Sequence, residues 1–159
     1  DINLVDCFRK FAEKEQLGET EMWYCGKCKE HQRAYKKLDL WSAPEILILH
    51  LKRFQYAQNT YFVHRQKLDD RVAFPVENLD LSPCVLDPES RRSAQYDLYA
   101  VSEHSGGLGG GHYTATAKDD NTGVWYHYND SVVSRADGVV PSDPKAYVLF
   151  YKRRPGKSS

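Results

Sequence analysis

Three short segments of this sequence carry residues whose types and spacing suit chemistry. The first is Ser105-Gly106-Gly107-Leu108-Gly109-Gly110-Gly111-His112-Tyr113-Thr114-Ala115, where five glycines in six positions precede a histidine. Glycine at that density costs chain entropy and adds nothing to a core. It suits close backbone approach by a ligand, or movement; a flexible hairpin turn beside an incidental histidine is the plainer alternative. His112 leads directly into a strand-like run, where it can be held rigidly and still face a cleft.

The second segment is Trp125-Tyr126-His127-Tyr128-Asn129-Asp130-Ser131. If 112–118 and 124–130 pair as a hairpin closed by Asp119–Gly123, the start of one strand lies beside the end of the other. His112 then meets Asn129 and Asp130, the geometry of a base and its orienter. An amide oxygen on Asn129 accepting Nδ1–H would fix the tautomer and leave Nε2 for a nucleophile. A neutral asparagine suffices when that nucleophile is a thiol, because the thiolate itself stabilises the imidazolium. The only thiols are Cys7, Cys25, Cys28 and Cys84. None stands at a helix start in a setting that lowers its pKa, so the chain holds two-thirds of a triad.

The third segment is Trp23-Tyr24-Cys25-Gly26-Lys27-Cys28-Lys29-Glu30-His31. A Cys-x-x-Cys turn aims two thiolates at one tetrahedral metal, and zinc needs four ligands. Three alternatives stand: Cys25 and Cys28 as half of a structural zinc site, a redox pair, or an unligated remnant. His31 is a sterically poor third ligand. The redox reading is disfavoured, because such sites follow a strand and open a helix.

Composition bounds the rest. The chain has 159 residues, zero formal net charge, 41% apolar and 28% charged residues. That fits one globular domain or a substantial piece of a larger one. Without a basic excess, nucleic acid and anionic membrane are poor partners. No run of 18 apolar residues exists to span a bilayer as a helix. Four unevenly spaced cysteines suit a reducing compartment. The start at Asp1-Ile2-Asn3-Leu4, without Met or a signal-peptide pattern, reads as an excised fragment.

The elements that must position these residues follow from periodicity. Leu4, Phe8 and Phe11 make a helical stripe over 2–15, with Asn3 as cap, Gly18 as stop and Cys7 as a small buried residue. Residues 33–41 and 46–54 read as strands. Ile46-Leu47-Ile48-Leu49 suggests a central strand buried on both faces. Residues 55–70 are polar, 72–74 form a short strand, and 76–94 read as a surface loop. Strands are expected at 96–103, 112–118, 124–128 and 146–152, with turns at 104–111, 119–123 and 129–145. Residues 153–159 read as a solvated tail. The class is α+β, mostly antiparallel sheet with an N-terminal helix.

Several segments together resemble the ubiquitin-specific proteases, the papain-like family of deubiquitinases. They are Tyr24-Cys25-Gly26-Lys27-Cys28, Pro44-Glu45-Ile46-Leu47-Ile48-Leu49-His50-Leu51-Lys52-Arg53-Phe54, Val72-Ala73-Phe74-Pro75, Tyr96-Asp97-Leu98-Tyr99-Ala100-Val101, Gly110-Gly111-His112-Tyr113-Thr114-Ala115, Trp125 to Val133, and Ala146-Tyr147-Val148-Leu149-Phe150-Tyr151. They fall in the family's order over nearly all of 1–154. The resemblance implies the second half of a fingers, palm and thumb catalytic domain. Residues 1–45 would give the helix and part of the fingers, 46–154 the palm, and 155–159 a tail. The thumb, with its nucleophilic cysteine, and the other CxxC would lie on an upstream half.

By the same resemblance His112 is the general base, Asn129 holds the third triad position and Asp130 is a supporting acid. Phe54, His104 and Tyr113 would contact the ubiquitin tail, with Gly110 and Gly111 in one blocking loop and 56–66 as the other. His31, His50, His64 and His127 are assigned to structure or surface. Implied partners are ubiquitin or ubiquitinated proteins and the upstream half. The implied cofactor is structural zinc, and the implied location is cytoplasmic and/or nuclear.

Overall fold

Long antiparallel strands in the C-terminal two-thirds set the frame on which everything else hangs. A computed structural model of the chain describes residues 2–59, 62–107 and 110–155. From the N-terminus, β1 (Ile2–Asn3), α1 (Leu4–Phe11) and β2 (Glu15–Gln16) lead to β3 (Trp23–Cys25), β4 (Glu30–Gln32) and β5 (Tyr35–Lys36). Then come β6 (Ile46–His50), β7 (Phe54–Asn59), β8 (Phe62–Lys67), β9 (Val72–Ala73) and β10 (Leu79–Asp80). A 3-10 turn at Ser82–Cys84 and the one-turn α2 (Pro88–Arg91) precede β11 (Gln95–Gly107), β12 (Gly110–Lys118), β13 (Trp125–Asn129), β14 (Val132–Ala136) and β15 (Ala146–Arg153).

The main sheet runs β14-β13-β12-β11-β15-β6, with β10 also on β11. All of its pairings are antiparallel. The expected α+β class, mostly antiparallel with an N-terminal helix, is what the chain adopts. No helix among the described residues is long and apolar enough to cross a membrane.

The core forms on one side of this sheet. The cross-strand pairs Leu98–Tyr151 and Val101–Leu149 are buried, joined by Leu4, Phe74, Leu79, Leu81, Val85 and Tyr96. The Tyr96 hydroxyl donates to the Pro44 carbonyl and that of Tyr151 to Pro75, each at 2.7 Å. Buried tyrosines thus keep a partner for their polar end. Asn3 caps α1 by accepting from the Val5 amide at 2.9 Å. Val5, Cys7 and Phe8 pack from α1 onto the core. Burial, then the neighbouring Asp6, pushes the Cys7 thiol pKa up, as suits a packing residue.

Several expectations need correction. The helix stops at Phe11 rather than running to 15, because Glu13, Lys14 and Glu15 are all charged and none extends its stripe; Glu15–Gln16 instead pairs with Tyr35–Lys36. Residues 33–41 are not one strand: only Tyr35–Lys36 pairs, and Leu40 makes a lone bridge to Val85. Among the described residues Ile46–His50 is an edge strand, paired only with β15. Leu47 and Leu49 pack on the core while Ile48 is 59% exposed, since one face of this strand is uncovered. Residues 76–94 are no surface loop. Their apolar members Leu79, Leu81, Val85 and Ala94 are buried, with the intervening Asp80 outward and the half-buried Asp87 capping α2. The region 129–145 contains strand β14, entered through the two-residue turn Asp130–Ser131. Arg153 and Arg154 are tied down rather than free: Arg153 Nη1 donates to the Ala43 carbonyl and Arg154 Nε to Asp97. Residues 156–159 lie outside the described residues.

One buried cation joins three segments. Arg53 is 3% exposed. Its Nε donates to the Ala146 carbonyl at 2.6 Å, and its Nη1 donates to the carbonyls of Leu68 at 3.1 Å and Asp70 at 2.7 Å. Nη2 is buried with no hydrogen-bond partner among the described residues. Burial depresses the Arg53 pKa, and the nearby carboxylates of Asp69, Asp70 and Asp143 oppose that shift. Arg53 thereby fixes the entry to β7 against the start of β15. Arg53→Met should lower the unfolding free energy by about 3 kcal/mol, because it strands the buried Ala146 carbonyl and the partly buried Leu68 and Asp70 carbonyls together. Urea denaturation measures this, and a loss under about 1 kcal/mol would contradict the brace.

Candidate active site

The β12–β13 hairpin brings the two chemical segments together. Its turn is held by Asp119, whose carboxylate accepts from the Asn121 and Thr122 amides and the Thr122 hydroxyl. Gly123 completes it at φ +70°. This is the Asp119–Gly123 closure expected from the sequence. The ladder then runs from Lys118↔Trp125 to Ala115↔Tyr128. Side chains alternate across a strand, so His112, Thr114 and Thr116 share a face of β12, and His127 and Asn129 share the matching face of β13.

His112 Nε2 lies 2.6 Å from Asn129 Oδ1. A carbonyl oxygen only accepts, so Nε2–H is the donor, and in the neutral imidazole the lone pair then lies on Nδ1. This reverses the expected assignment of the two ring nitrogens. Asn129 approaches from the neighbouring strand and so meets the nitrogen farther from the His112 backbone. Asp130 Oδ2 is 4.0 Å from the same nitrogen. Asp130 has φ +50°, the left-handed geometry that lets β13 turn back into β14. The side chains of His112 and Asp130 are 50% and 80% exposed, so the pair faces open space in this chain.

The other face of the same hairpin carries an aromatic cluster. His104 on β11 opposes Tyr113 on β12. The His104 ring lies 4.7 Å from that of Tyr113, 5.3 Å from Phe54 and 6.1 Å from Tyr147. His104 is 4% exposed and Tyr113 55%. A side chain on Gly111 would collide with the His104 imidazole, and one on Gly106, at φ +91°, would collide with the Gly110 carbonyl. These two glycines are therefore required by close packing. Lys67 Nζ donates to the His104 carbonyl at 2.9 Å. The His104 Nδ1 is buried without a hydrogen-bond partner among the described residues. Burial, then the Lys67 charge, lowers the His104 pKa.

Both segments expected as loops continue as strand. The β11–β12 ladder extends to Gly107↔Gly110, and Leu108 and Gly109 lie outside the described residues. The 56–66 segment belongs to the β7–β8 ladder, paired from Phe54↔Lys67 to Asn59↔Phe62; residues 60 and 61 lie outside the described residues.

Cys25 and Cys28 bracket a tight turn in which the Cys28 amide donates to Cys25 Sγ at 3.4 Å. Lys29, at φ +59°, closes it onto the Cys25 carbonyl. Amide donation from Cys28, then Lys27, lowers the Cys25 pKa and so favours the thiolate. The turn therefore fits one half of a tetrahedral thiolate site. His31 pairs with Tyr24 in an edge-to-face contact at 5.3 Å, on the strand face opposite Cys25. No group of three or more metal-ligating side chains occurs among the described residues. Cys7 is on α1 and Cys84 in the 3-10 turn.

Sequence reasoning did not single out Tyr147, Glu103 or Thr116, and it assigned His127 to structure or surface. Glu103, Thr114, Thr116 and His127 form a hydrogen-bonded group on the same face as His112. The signal was the shared parity of 112, 114 and 116 and of 127 and 129. It becomes readable only once the register is known.

Comparison with known proteins agrees with this fold. The family model described as ubiquitin carboxyl-terminal hydrolase matches residues 12–151. The chain is 49% identical over 153 residues to human ubiquitin carboxyl-terminal hydrolase 15, covering 96% of this chain and 15% of that protein. It is 51% identical over 154 residues to Arabidopsis thaliana ubiquitin carboxyl-terminal hydrolase 9, covering 96% and 16%. A solved structure of the yeast SAGA DUB module is similar with TM-score 0.75 and 33% identity, over 99% of this chain and 34% of that one. The SAGA DUB module bound to ubiquitin aldehyde is similar with TM-score 0.72 and 31% identity, over the same shares. The chain thus spans about one-sixth of the length of the curated relatives it matches.

The buried His104 gives a pH prediction. Its neutral form is favoured on folding, so its contribution is fully present above the unfolded pKa of about 6.5 and is lost as pH falls from there through the lowered folded value. The melting temperature should fall more steeply on acidification from about pH 7 to 5 than it does in His104→Phe. Equal slopes would contradict the burial of a neutral imidazole.

Proposed function

The chain belongs to the ubiquitin carboxyl-terminal hydrolase family, and on that premise we propose that it supplies the base and orienter of a cysteine-type deubiquitinase. In this reading His112 is the general base, Asn129 orients it and Asp130 supports it. The nucleophilic thiol comes from polypeptide outside residues 1–159. The observation that carries the reading is the 2.6 Å contact between His112 Nε2 and Asn129 Oδ1. In the neutral imidazole it puts the lone pair on Nδ1 and it fixes the ring in one orientation, which is what a proton acceptor for a thiol requires.

The steps follow. The thiol passes its proton to His112 Nδ1, and the thiolate attacks the carbonyl at the end of ubiquitin. The leaving amine takes the proton from the imidazolium as the C–N bond breaks, leaving a thioester. Water then gives a proton to Nδ1 and attacks the thioester, and that proton returns to the departing thiolate. A neutral orienter is adequate because the charge on the imidazolium is matched by the thiolate. Ubiquitin's tail ends in two glycines, so its channel must be narrow. Phe54, His104, Tyr113, Gly110 and Gly111 would line it, supported by the close packing of His104 over Gly111.

Ubiquitin or ubiquitinated proteins are then the substrate, and an upstream half of the catalytic domain is the partner. The Cys25–Cys28 turn would give two of the four thiolates of a structural zinc site, which adds folding energy rather than chemistry. Such thiols require a reducing compartment, in keeping with a cytoplasmic and/or nuclear location.

Two measurements test this. In the full-length protein, with a fluorogenic amide of ubiquitin, His112→Ala should lower kcat by about 1000-fold or more, and residues 1–159 alone should give no turnover. Turnover by residues 1–159, or an undiminished His112→Ala enzyme, would contradict the assignment. Elemental analysis of the full-length protein should find a zinc that Cys25→Ser removes; no zinc, or the same content in the variant, would rule out the half-site.

A further inference from the structure

A second polar group shares the sheet face of His112 and Asn129, and the steps above do not use it. Thr114 Oγ1 donates to Glu103 Oε2 at 2.9 Å, and Thr116 Oγ1 donates to Glu103 Oε1 at 3.2 Å. With its one proton committed to Glu103, Thr116 Oγ1 accepts from His127 Nδ1 at 3.1 Å. The direction of each proton is thereby set: His127 Nδ1–H to Thr116, and Thr116 O–H to Glu103. Glu103 Oε2 also lies 3.6 Å from His127 Nδ1. The Glu103 side chain is only 15% exposed. A carboxylate at that depth is expensive to desolvate and persists only when its oxygens are satisfied. Nothing in core packing calls for one here.

Its position gives the group a role. The backbone ladder between β12 and β13 ends at Ala115↔Tyr128. Asn129 is one residue beyond that rung and His112 three beyond, so that ladder alone does not set the distance between them. Glu103 opposes Thr114 across β11 and β12, and Thr116 opposes His127 across β12 and β13. The side-chain chain therefore ties all three strands together through Thr114 and His127, each two residues from a member of the pair and on the pair's own face. The constraint matters more because the orienter is an amide. A neutral asparagine offers one hydrogen bond and no ion-pair attraction to draw back a misplaced imidazolium.

We propose that Glu103, Thr116 and His127 are positioning residues that set the His112–Asn129 separation. This rests on the reading of His112 and Asn129 as base and orienter. The three residues touch neither substrate nor thiol; they act through the relative placement of β12 and β13.

The test uses the full-length protein and the fluorogenic ubiquitin amide. Thr116→Val keeps the side-chain shape and removes the hydroxyl, while Thr116→Ser keeps the hydroxyl. Thr116→Val should lower kcat about tenfold with KM changed less than about twofold, because a misplaced base slows the chemical step without loosening the grip on ubiquitin. Thr116→Ser should recover kcat to within about twofold of the parent. His127→Phe, which keeps a planar ring, should repeat the kcat loss and covers the case in which Thr116→Val does not fold. With an active parent, unchanged kcat in folded Thr116→Val or His127→Phe overturns the positioning role alone. So does equal impairment of Thr116→Ser and Thr116→Val, or a kcat loss no larger than the loss of folded protein. An inactive parent overturns the deubiquitinase reading, and the positioning role with it.

Discussion

One hydrogen bond, between His112 and Asn129, sets what the rest of the chain must hold still. The two residues are 17 apart in sequence and on different strands. Their 2.6 Å separation depends on the Asp119 turn, on the register of β12 with β13 and on the strands behind them. β11 anchors β12 on its far side and is itself fixed by β15 through the buried pairs Leu98–Tyr151 and Val101–Leu149. Burial of each such side chain contributes about 1.5–3 kcal/mol. The hydrophobic core thus supports a site that itself contains almost no buried apolar surface.

Strand alternation lets one hairpin serve two surfaces. Residues 112 and 113 are neighbours in sequence yet face opposite sides of the sheet. His112 meets Asn129 on one side; Tyr113 meets His104 on the other. Gly111 shares the face of Tyr113 and must lack a side chain to admit the His104 ring. Arg53 braces the same region from behind by joining the Ala146, Leu68 and Asp70 carbonyls. A substitution on either face is therefore transmitted to the other through a shared backbone, with little slack at the glycines.

Much of this was legible in the sequence, for identifiable reasons. Alternation along 112–118 and 124–130, with a turn rich in Asp, Asn and Gly, was enough to bring His112 to Asn129. The α+β class followed from a helical stripe ahead of aromatic, β-branched runs. Which imidazole nitrogen meets Asn129 was not legible, because it depends on a side-chain rotamer. The Ile46–Leu49 run misled because four aliphatics look the same whether one face or two are covered. Residues 76–94 misled because prolines and charges concealed the spacing of Leu79, Leu81 and Val85. The partnership of Glu103 with His127 spans 24 residues and is bridged by Thr116 on the strand between them. No local pattern announces it.

On the proposed reading, His112 presents Nδ1 to a thiol from outside these 159 residues. The most direct measurement is a crystal structure of the full-length protein captured on ubiquitin carrying an electrophilic C-terminus. The account predicts a covalent bond to a cysteine outside residues 1–159, its sulfur within hydrogen-bond reach of His112 Nδ1, with Nε2 still on Asn129. A bond to Cys7, Cys25, Cys28 or Cys84, or a sulfur remote from His112, would contradict it.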